Sequence, residues 1–154
     1  MLDSVRISDE LWDMADEKPD AILHRAVQRV HEGGSAFDWV GVYLLAGSHL
    51  ILHSFIGRST ELTRIPIGQG VPGQAVAEGR DINVPDVGAL VNQLVKSPTT
   101  LSEVAVLIES EDQVIGVINV DSDSRGAFAA VEEAALRSIA DVLGETLGPQ
   151  IRWA

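Results

Sequence analysis

Residues 64–86 read Arg64-Ile-Pro-Ile-Gly-Gln-Gly-Val-Pro-Gly-Gln-Ala-Val-Ala-Glu-Gly-Arg-Asp-Ile-Asn-Val-Pro-Asp86, and this stretch restricts the fold more than any other. Its centre, Gly68-Gln-Gly-Val-Pro-Gly73, matches the G-x-G-x-x-G pattern of dinucleotide-binding loops. That pattern needs a parallel strand–turn–helix unit, whereas Pro66 lies just before the motif, Pro72 lies within it, and the neighbouring strands are predicted to pair as hairpins. We therefore interpret the glycines as a tight turn that aims a short helix over residues 70–79.

The patterns on either side predict an α+β domain built from antiparallel hairpins. The predicted elements are a helix from Pro19 to Gly33, strands over 39–45 and 50–56, a short strand over 82–84, strands over 104–108 and 114–120, and a helix from about Ala129 to Leu147. Short turns force antiparallel pairing, and helices at both chain ends can lie together on one sheet face. From the length we predict one domain over residues 20–154, preceded by an acidic helical extension over residues 1–19.

The segment between the short strand and the second hairpin is predicted to be a long loop. Residues 86–101 show no strong period and contain Pro98-Thr-Thr100, so we expect a loop with one helical turn. Loops of this length in compact domains are often lids or binding loops. We therefore expect this loop to close over a pocket.

Composition excludes several classes of function. The formal net charge of −12 repels phosphate backbones and anionic lipids, so we expect neither nucleic-acid nor membrane binding. The charge favours solubility, or a cationic ligand or partner. The chain has no cysteine, which rules out disulfides, thiolate metal ligands and cysteine nucleophiles. No signal peptide or membrane span is recognised, so the expected compartment is cytoplasmic.

The histidines do not predict a metal site. None of them has the spacing of a known metal-binding motif, and we interpret all four as surface residues (His24, His31, His49 and His53). We predict no metal and no cofactor.

The second predicted hairpin brings polar side chains together. If residues 111–113 form a three-residue turn, Glu103 lies opposite Asp121, with their Cβ atoms about 5 Å apart. Asn119 shares the face of Asp121 because side chains alternate along a strand. Two interpretations remain open. The carboxylates either lie in water at the strand ends, or they form a site for an ammonium, a guanidinium or a polar hydrogen-bonding ligand.

Two aromatic residues of the first strand are further candidates. Trp39 and Tyr43 have the same parity along the strand, so their side chains point to one face. Aromatic residues on a central strand usually belong to the core, but these two could also wall the apolar part of a pocket. The candidate ligand-binding residues are therefore Trp39, Tyr43, Glu103, Asn119 and Asp121, and no catalytic residue is predicted.

Six short motifs add a resemblance to a known family. They are Asp38-Trp-Val-Gly-Val-Tyr-Leu-Leu45, Thr63-Arg-Ile-Pro-Ile-Gly-Gln-Gly70, Ala75-Val-Ala-Glu-Gly79, Val84-Pro-Asp86, Ser102-Glu103 and Gly116-Val-Ile-Asn-Val-Asp-Ser122. In this order they resemble the GAF domain superfamily, and within it the free methionine-(R)-sulfoxide reductases. The resemblance implies a central antiparallel sheet of five to six strands, with terminal helices on one face and a ligand pocket and loops on the other. It also implies a homodimer through the terminal helices, which suits the wide apolar stripe of the last helix (Val131, Ala135, Ile139 and Val142).

The resemblance implies the family's pocket without the family's reaction. In the reductases a cysteine thiolate attacks the sulfoxide, and one family cysteine occupies the position of Pro72 in this chain. Glu103 and Asp121 match family carboxylates, Asn119 replaces a third, and the two aromatic residues match pocket-lining positions. The reductase activity is therefore not expected, although the pocket is.

Three functions follow as hypotheses. The first is a non-catalytic sensor or signalling domain that binds a small polar or cationic metabolite. The second is an enzyme with a cysteine-independent activity in the same pocket. The third is a dimerisation module whose pocket is vestigial.

Overall fold

The structure is a computed structural model that describes residues 1–89 and 98–151. Within them the elements, in chain order, are α1 (Ser4–Asp13), α2 (Pro19–Glu32), β1 (Trp39–Ala46), β2 (His49–Ile56), β3 (Arg64–Pro66), α3 (Gly70–Glu78), β4 (Ile82–Val84), a 3₁₀ turn (Val87–Ala89), β5 (Ser102–Ser110), β6 (Gln113–Ser122) and α4 (Ala130–Ile151). The predicted helices and both hairpins are confirmed. Residues 90–97 of the predicted loop over 86–101 lie outside the described residues, while residues 86–89, which include the 3₁₀ turn, and residues 98–101 are described.

The strands form one antiparallel sheet in the order β3-β2-β1-β6-β5-β4. Helices α1, α2 and α4 share the larger hydrophobic cluster with one face of this sheet. Helix α3 packs on the other face over a smaller cluster that includes Trp39, Tyr43 and Leu107. The α+β class, the six-stranded sheet and the grouping of the terminal helices on one face are therefore confirmed.

The glycine-rich stretch forms the turn into α3. Gly68 and Gly70 adopt positive φ values of 95° and 63°, which favour glycine, and Gly79 ends the helix at φ 68°. The preceding strand β3 pairs antiparallel with β2. It was not predicted from the sequence, because it has only three residues. The two strands that flank α3, β3 and β4, both pair antiparallel with their neighbours, so the parallel unit of a dinucleotide site is not formed here. The glycines of the pattern instead form the turn that leads into α3.

The second hairpin differs from the prediction at its turn. The turn has two residues, Glu111 and Asp112, both at positive φ (52° and 64°), as the twist of paired strands favours. The predicted three-residue turn is therefore wrong. A register shift follows Ile108 and leaves Ile115 as an extra residue on β6, so the pairing beyond it is the same as a three-residue turn would give.

The apolar stripe of α4 is mostly covered within the chain. Ala135, Ile139 and Val142 are buried, and they belong to the same cluster as Leu11 of α1, while Val131 is 55% exposed. The stripe is wide because α4 packs against both the sheet and α1. It therefore gives no independent support for a homodimer, which stays a prediction.

Helix α1 is part of this packing. Its buried residues Ile7 and Leu11 belong to the core cluster shared by α2 and α4, and Asp3 caps the helix by accepting from the backbone N–H of Arg6 at 3.0 Å. The division at residue 19 stays a prediction about domain organisation. The side chains of the first helix nevertheless share the core of the domain.

The side chains of Asp81 and Arg137 cover the part of the β5 edge that β4 does not reach. Leu107 lies beyond the three residues that pair with β4, and its backbone N–H donates to Asp81 Oδ1 at 2.9 Å. Arg137 of α4 donates to the carbonyl of Leu107 at 2.5 Å and to both oxygens of Asp81 at 2.8 and 2.9 Å. The two side chains thus make the hydrogen bonds to the N–H and the carbonyl of Leu107 that a neighbouring strand would otherwise make. They also hold α4 against the strand that carries Glu103.

Replacing Arg137 with Ala is expected to lower the free energy of unfolding by about 2 kcal/mol, because it leaves a carbonyl and a half-buried carboxylate without this donor. Urea unfolding monitored by circular dichroism measures the change. Arg125→Ala is the matched control, since its guanidinium is 65% exposed and lies 3.5 Å from Asp86. We expect the control to change stability by less than about 0.5 kcal/mol. A change in Arg137→Ala as small as that in the control would show that the edge contact contributes little to stability.

Candidate functional site

The two central hairpin strands bring the predicted polar residues together. Glu103 on β5 and Asp121 on β6 are register partners, as predicted, and Asp121 also pairs with Trp39 on β1. All three predicted polar side chains are buried: Glu103 is 4% exposed, Asp121 1% and Asn119 0%. The interpretation in which the carboxylates lie in water at strand ends is therefore wrong.

An amide orients one of the carboxylates. Asn119 Nδ2 donates to Glu103 Oε2 at 2.9 Å and to the backbone carbonyl of Val104 at 3.2 Å. The second bond holds the amide against β5, so the first fixes the direction of the Glu103 side chain. Both carboxylates therefore lie in a largely dehydrated place, where charge-assisted hydrogen bonds are in general stronger than in water. The role of these residues in binding stays a prediction.

The two aromatic residues do more than line this face. Trp39 and Tyr43 are buried on the α3 side of the sheet, and a Cβ atom at Gly41 would overlap the indole ring of Trp39. Trp39 Nε1 donates to the carbonyl of Arg58 at 3.1 Å, and the hydroxyl of Tyr43 donates to the carbonyl of Leu62 at 2.9 Å. Their polar ends therefore hold the connection between β2 and β3, which we name the site loop (residues 57–63), against the sheet.

Charged residues that the sequence reasoning missed lie beside the Glu103–Asp121 pair. Arg58 of the site loop donates to both oxygens of Asp123, at 2.6 and 3.0 Å, just beyond the end of β6. This contact raises the pKa of Arg58, with smaller contributions from the nearby charges of Asp38 and Asp121. Hydrogen bonds from Arg58 hold the pKa of Asp123 below its ordinary value. No local pattern reveals the pair, because its members are 65 positions apart.

Asp123 also contacts the other side of the site. Its Oδ1 accepts from the hydroxyl of Thr99 at 3.2 Å, and its backbone N–H donates to Asp38 Oδ2 at 2.8 Å. Asp38 precedes Trp39, the register partner of Asp121, and its own backbone N–H donates to the carbonyl of Asp121 at 3.0 Å. A sequence signal did exist, since Asp38 and Asp123 both flank paired strand residues.

Two of the four histidines, His24 and His53, meet away from this face, and the His53 side chain is only 16% exposed, so its prediction as a surface residue is wrong. His53 Nε2 lies 2.7 Å from Asp20 Oδ1, and the ring centroids of His24 and His53 are 5.2 Å apart. This contact lowers the pKa of Asp20, chiefly through the hydrogen bond with His53. In the described part of the chain, no three His, Asp or Glu residues form a group that could hold a metal ion. Nor do the helices described here include one long and apolar enough to span a membrane.

The chain belongs to the GAF domain family, whose model matches residues 18–147. It is 36% identical to Protein ZMO0507 of Zymomonas mobilis over 112 residues, which are 72% of this chain and 69% of that protein. It is 31% identical to the free methionine-R-sulfoxide reductase of Escherichia coli over 127 residues, which are 82% of this chain and 76% of that protein.

Solved structures support the same relationship. The free methionine-R-sulfoxide reductase of Neisseria meningitidis, solved in complex with its substrate, superimposes with a TM-score of 0.88 at 29% identity. The match covers 98% of this chain and 89% of that one. Both the GAF fold and the relationship to the reductases are thereby established, and the predicted resemblance to this family is confirmed.

The position that the resemblance assigns to a family cysteine holds a proline in this chain. Pro72 is buried in the first turn of α3, where proline fits because the N–H group it lacks would have no helical partner. Neither Pro72 nor any other residue of this chain supplies a thiol, since the sequence has no cysteine. A reaction that proceeds through a thiolate and a disulfide therefore has no nucleophile here.

Proposed function

We propose that this GAF domain binds a small molecule through an ammonium group, or another strong hydrogen-bond donor, placed on Glu103 and Asp121. One observation supports this above all: two carboxylates are paired in register and buried on the same sheet face. Directly opposed like charges on paired strands disfavour folding, and a bound cation would offset that repulsion. Asn119 orients the Glu103 carboxylate in this arrangement.

The surroundings agree with a ligand of this kind. Trp39 pairs with Asp121, and the centroids of the Trp39 and Tyr43 rings are 6.3 Å apart, so an apolar patch begins at the carboxylates. Such surfaces beside a few polar groups are typical of small-molecule sites. The net charge of −12 attracts cations to the protein as a whole. Free methionine-(R)-sulfoxide, the compound named for the related reductases, carries an ammonium group and is the first ligand to test.

Binding is proposed to occur without turnover. Reduction of a sulfoxide by the family's route needs a thiolate that attacks sulfur and a second thiol that resolves the product, and this chain has neither. The domain would then act as a sensor whose occupied state is read by another protein. A cytoplasmic location and a homodimer remain part of this proposal.

The test combines a titration with an assay for turnover. Isothermal titration of free methionine-(R)-sulfoxide and of free methionine is expected to give saturable binding of at least one of them. Incubation of the sulfoxide with the protein and dithiothreitol is expected to release no more methionine than the same mixture without protein. Protein-dependent release of methionine would instead identify a cysteine-independent enzyme.

Native mass spectrometry of freshly purified protein complements the titration. We expect a mass above that of the bare chain, corresponding to a bound small molecule. If neither compound binds, no mass is added, and a panel of amines and amino acids produces no thermal shift, the pocket is vestigial. A dimer measured by light scattering would then favour the dimerisation module.

A further inference from the structure

The site loop starts at a position that only glycine fits. Gly57 has a φ of 135°, and a Cβ atom there would lie 2.7 Å from the carbonyl oxygen of Asp38 and 2.8 Å from Trp39 Cδ1. The loop therefore leaves β2 close against the strand end that carries the site. The loop is then bound to the sheet at two carbonyls, that of Arg58 by Trp39 and that of Leu62 by Tyr43.

The contacts of the loop differ in their exposure to solvent. The bonds to the carbonyls of Arg58 and Leu62 come from two buried aromatic side chains. The fork between Arg58 and Asp123 is half-exposed, with side-chain exposures of 47% and 34%. Water and salt compete with exposed ion pairs far more than with buried hydrogen bonds. Of these contacts, we therefore expect the fork to open first.

The fork also joins two segments that flank the site. Asp123 Oδ1 accepts from Arg58 of the site loop and from Thr99, which lies before β5. Asp123, which holds the guanidinium at 2.6 and 3.0 Å, lies two residues beyond Asp121, and the charge of Asp121 contributes to the raised pKa of Arg58. A cation that approaches Asp121 therefore meets a resident positive charge, unless the fork opens and the arginine moves away.

We propose that the Arg58–Asp123 fork is a latch that holds the site loop closed beside the Glu103–Asp121 pair and must open before a cationic ligand enters. The part that concerns ligand entry rests on the proposed function. The closed state of the loop does not, because it is defined by contacts within the protein alone. Two measurements therefore separate the two ideas.

The first measurement needs no ligand. The backbone N–H of Leu62 donates to Thr60 Oγ1 at 3.0 Å, and that of Thr63 donates to the carbonyl of Glu61 at 2.9 Å, so exchange of these amides reports opening of the site loop. Hydrogen–deuterium exchange followed by NMR is expected to accelerate about fivefold at both amides in Arg58→Ala and in Asp123→Asn. Arg80→Ala, which removes a guanidinium paired with Glu78 at 2.8 Å, is the control and should not change these rates.

Exchange rates in Arg58→Ala that equal those of the unmodified protein would overturn the latch. So would an increase in Arg58→Ala that Asp123→Asn does not share, because the fork would then not be the relevant contact. An equal increase in Arg80→Ala would point to a general effect of charge and would also overturn it.

The second measurement addresses ligand entry. Stopped-flow tryptophan fluorescence with free methionine-(R)-sulfoxide is expected to show a severalfold faster association in Arg58→Ala than in the unmodified protein. Unchanged association with accelerated exchange would contradict the role in entry and leave the closed loop established. If this probe binds no variant while the amides still exchange faster, the choice of ligand in the proposed function fails and the latch stands.

Discussion

Gly144→Ala is expected to destabilise the domain by about 3 kcal/mol, which lowers the melting temperature by about 10 °C. A Cβ atom at Gly144 would overlap the backbone carbonyl oxygen of Glu109 and lie 3.0 Å from its carbonyl carbon. The atom in the way belongs to the main chain of β5, which is hydrogen-bonded to β6 on its other side. The strand therefore cannot move aside without a shift of the sheet. The close approach of α4 to β5 thus depends on the absence of a side chain.

The expected sign is opposite to that of helix propensity. Alanine stabilises an exposed helix by about 1 kcal/mol relative to glycine, so a position without steric constraint would become more stable. Ser138→Ala, at an exposed position of α4, is the matched control and should stay within about 0.5 kcal/mol of the unmodified protein. Differential scanning calorimetry of the two variants decides the matter. A melting temperature for Gly144→Ala at or above that of the control would show that α4 does not pack so closely.

The sequence predicts the elements whose signals are local. The turn at Gly47-Ser48 and the strands on either side of it predict the first hairpin, and the structure confirms it. The second hairpin shows why a register can be right when its turn is wrong. Ile115 adds one residue to β6 through a bulge, which compensates for the residue that the two-residue turn lacks. Bulges have weak sequence signatures, so this agreement could not have been argued in advance.

Contacts between residues that are far apart in the sequence cannot be predicted from local patterns. Arg58 and Asp123 are 65 positions apart, and Asp81 and Arg137 are 56 apart, so no periodicity or spacing connects them. Charged residues are also common on surfaces, which makes their types uninformative until the strands are placed. The buried candidates of the site were predictable for the opposite reason: alternation along a strand and pairing in a hairpin determine which side chains meet.

Replacing both carboxylates of the site with amides is expected to abolish ligand binding. Glu103→Gln and Asp121→Asn keep the shape of each side chain and remove its charge. A hydrogen bond to a charged group is worth about 1.5–3 kcal/mol, so each single substitution should weaken binding of an ammonium ligand by about 10- to 100-fold. The double variant should show no heat of binding in a calorimetric titration that saturates the unmodified protein.

Glu109→Gln is the matched control for this experiment. It makes the same chemical change on the same strand, at an exposed position six residues from Glu103. We expect it to bind the ligand as the unmodified protein does, since it alters net charge without touching the site. A comparable loss of affinity in the control would mean that overall charge governs binding, which would remove the special role of the buried pair.

The stability of the double variant distinguishes a binding site from a structural pair. Glu103 and Asp121 face each other as register partners, so removing their charges relieves a repulsion, and we expect the melting temperature without ligand to stay equal or to rise. Glutamine at position 103 still offers a carbonyl oxygen to Asn119, which preserves the bond seen at 2.9 Å. Lost affinity with retained stability is typical of residues kept for function at a cost in stability. Lost stability with unchanged affinity would assign the pair to the fold and place the ligand elsewhere.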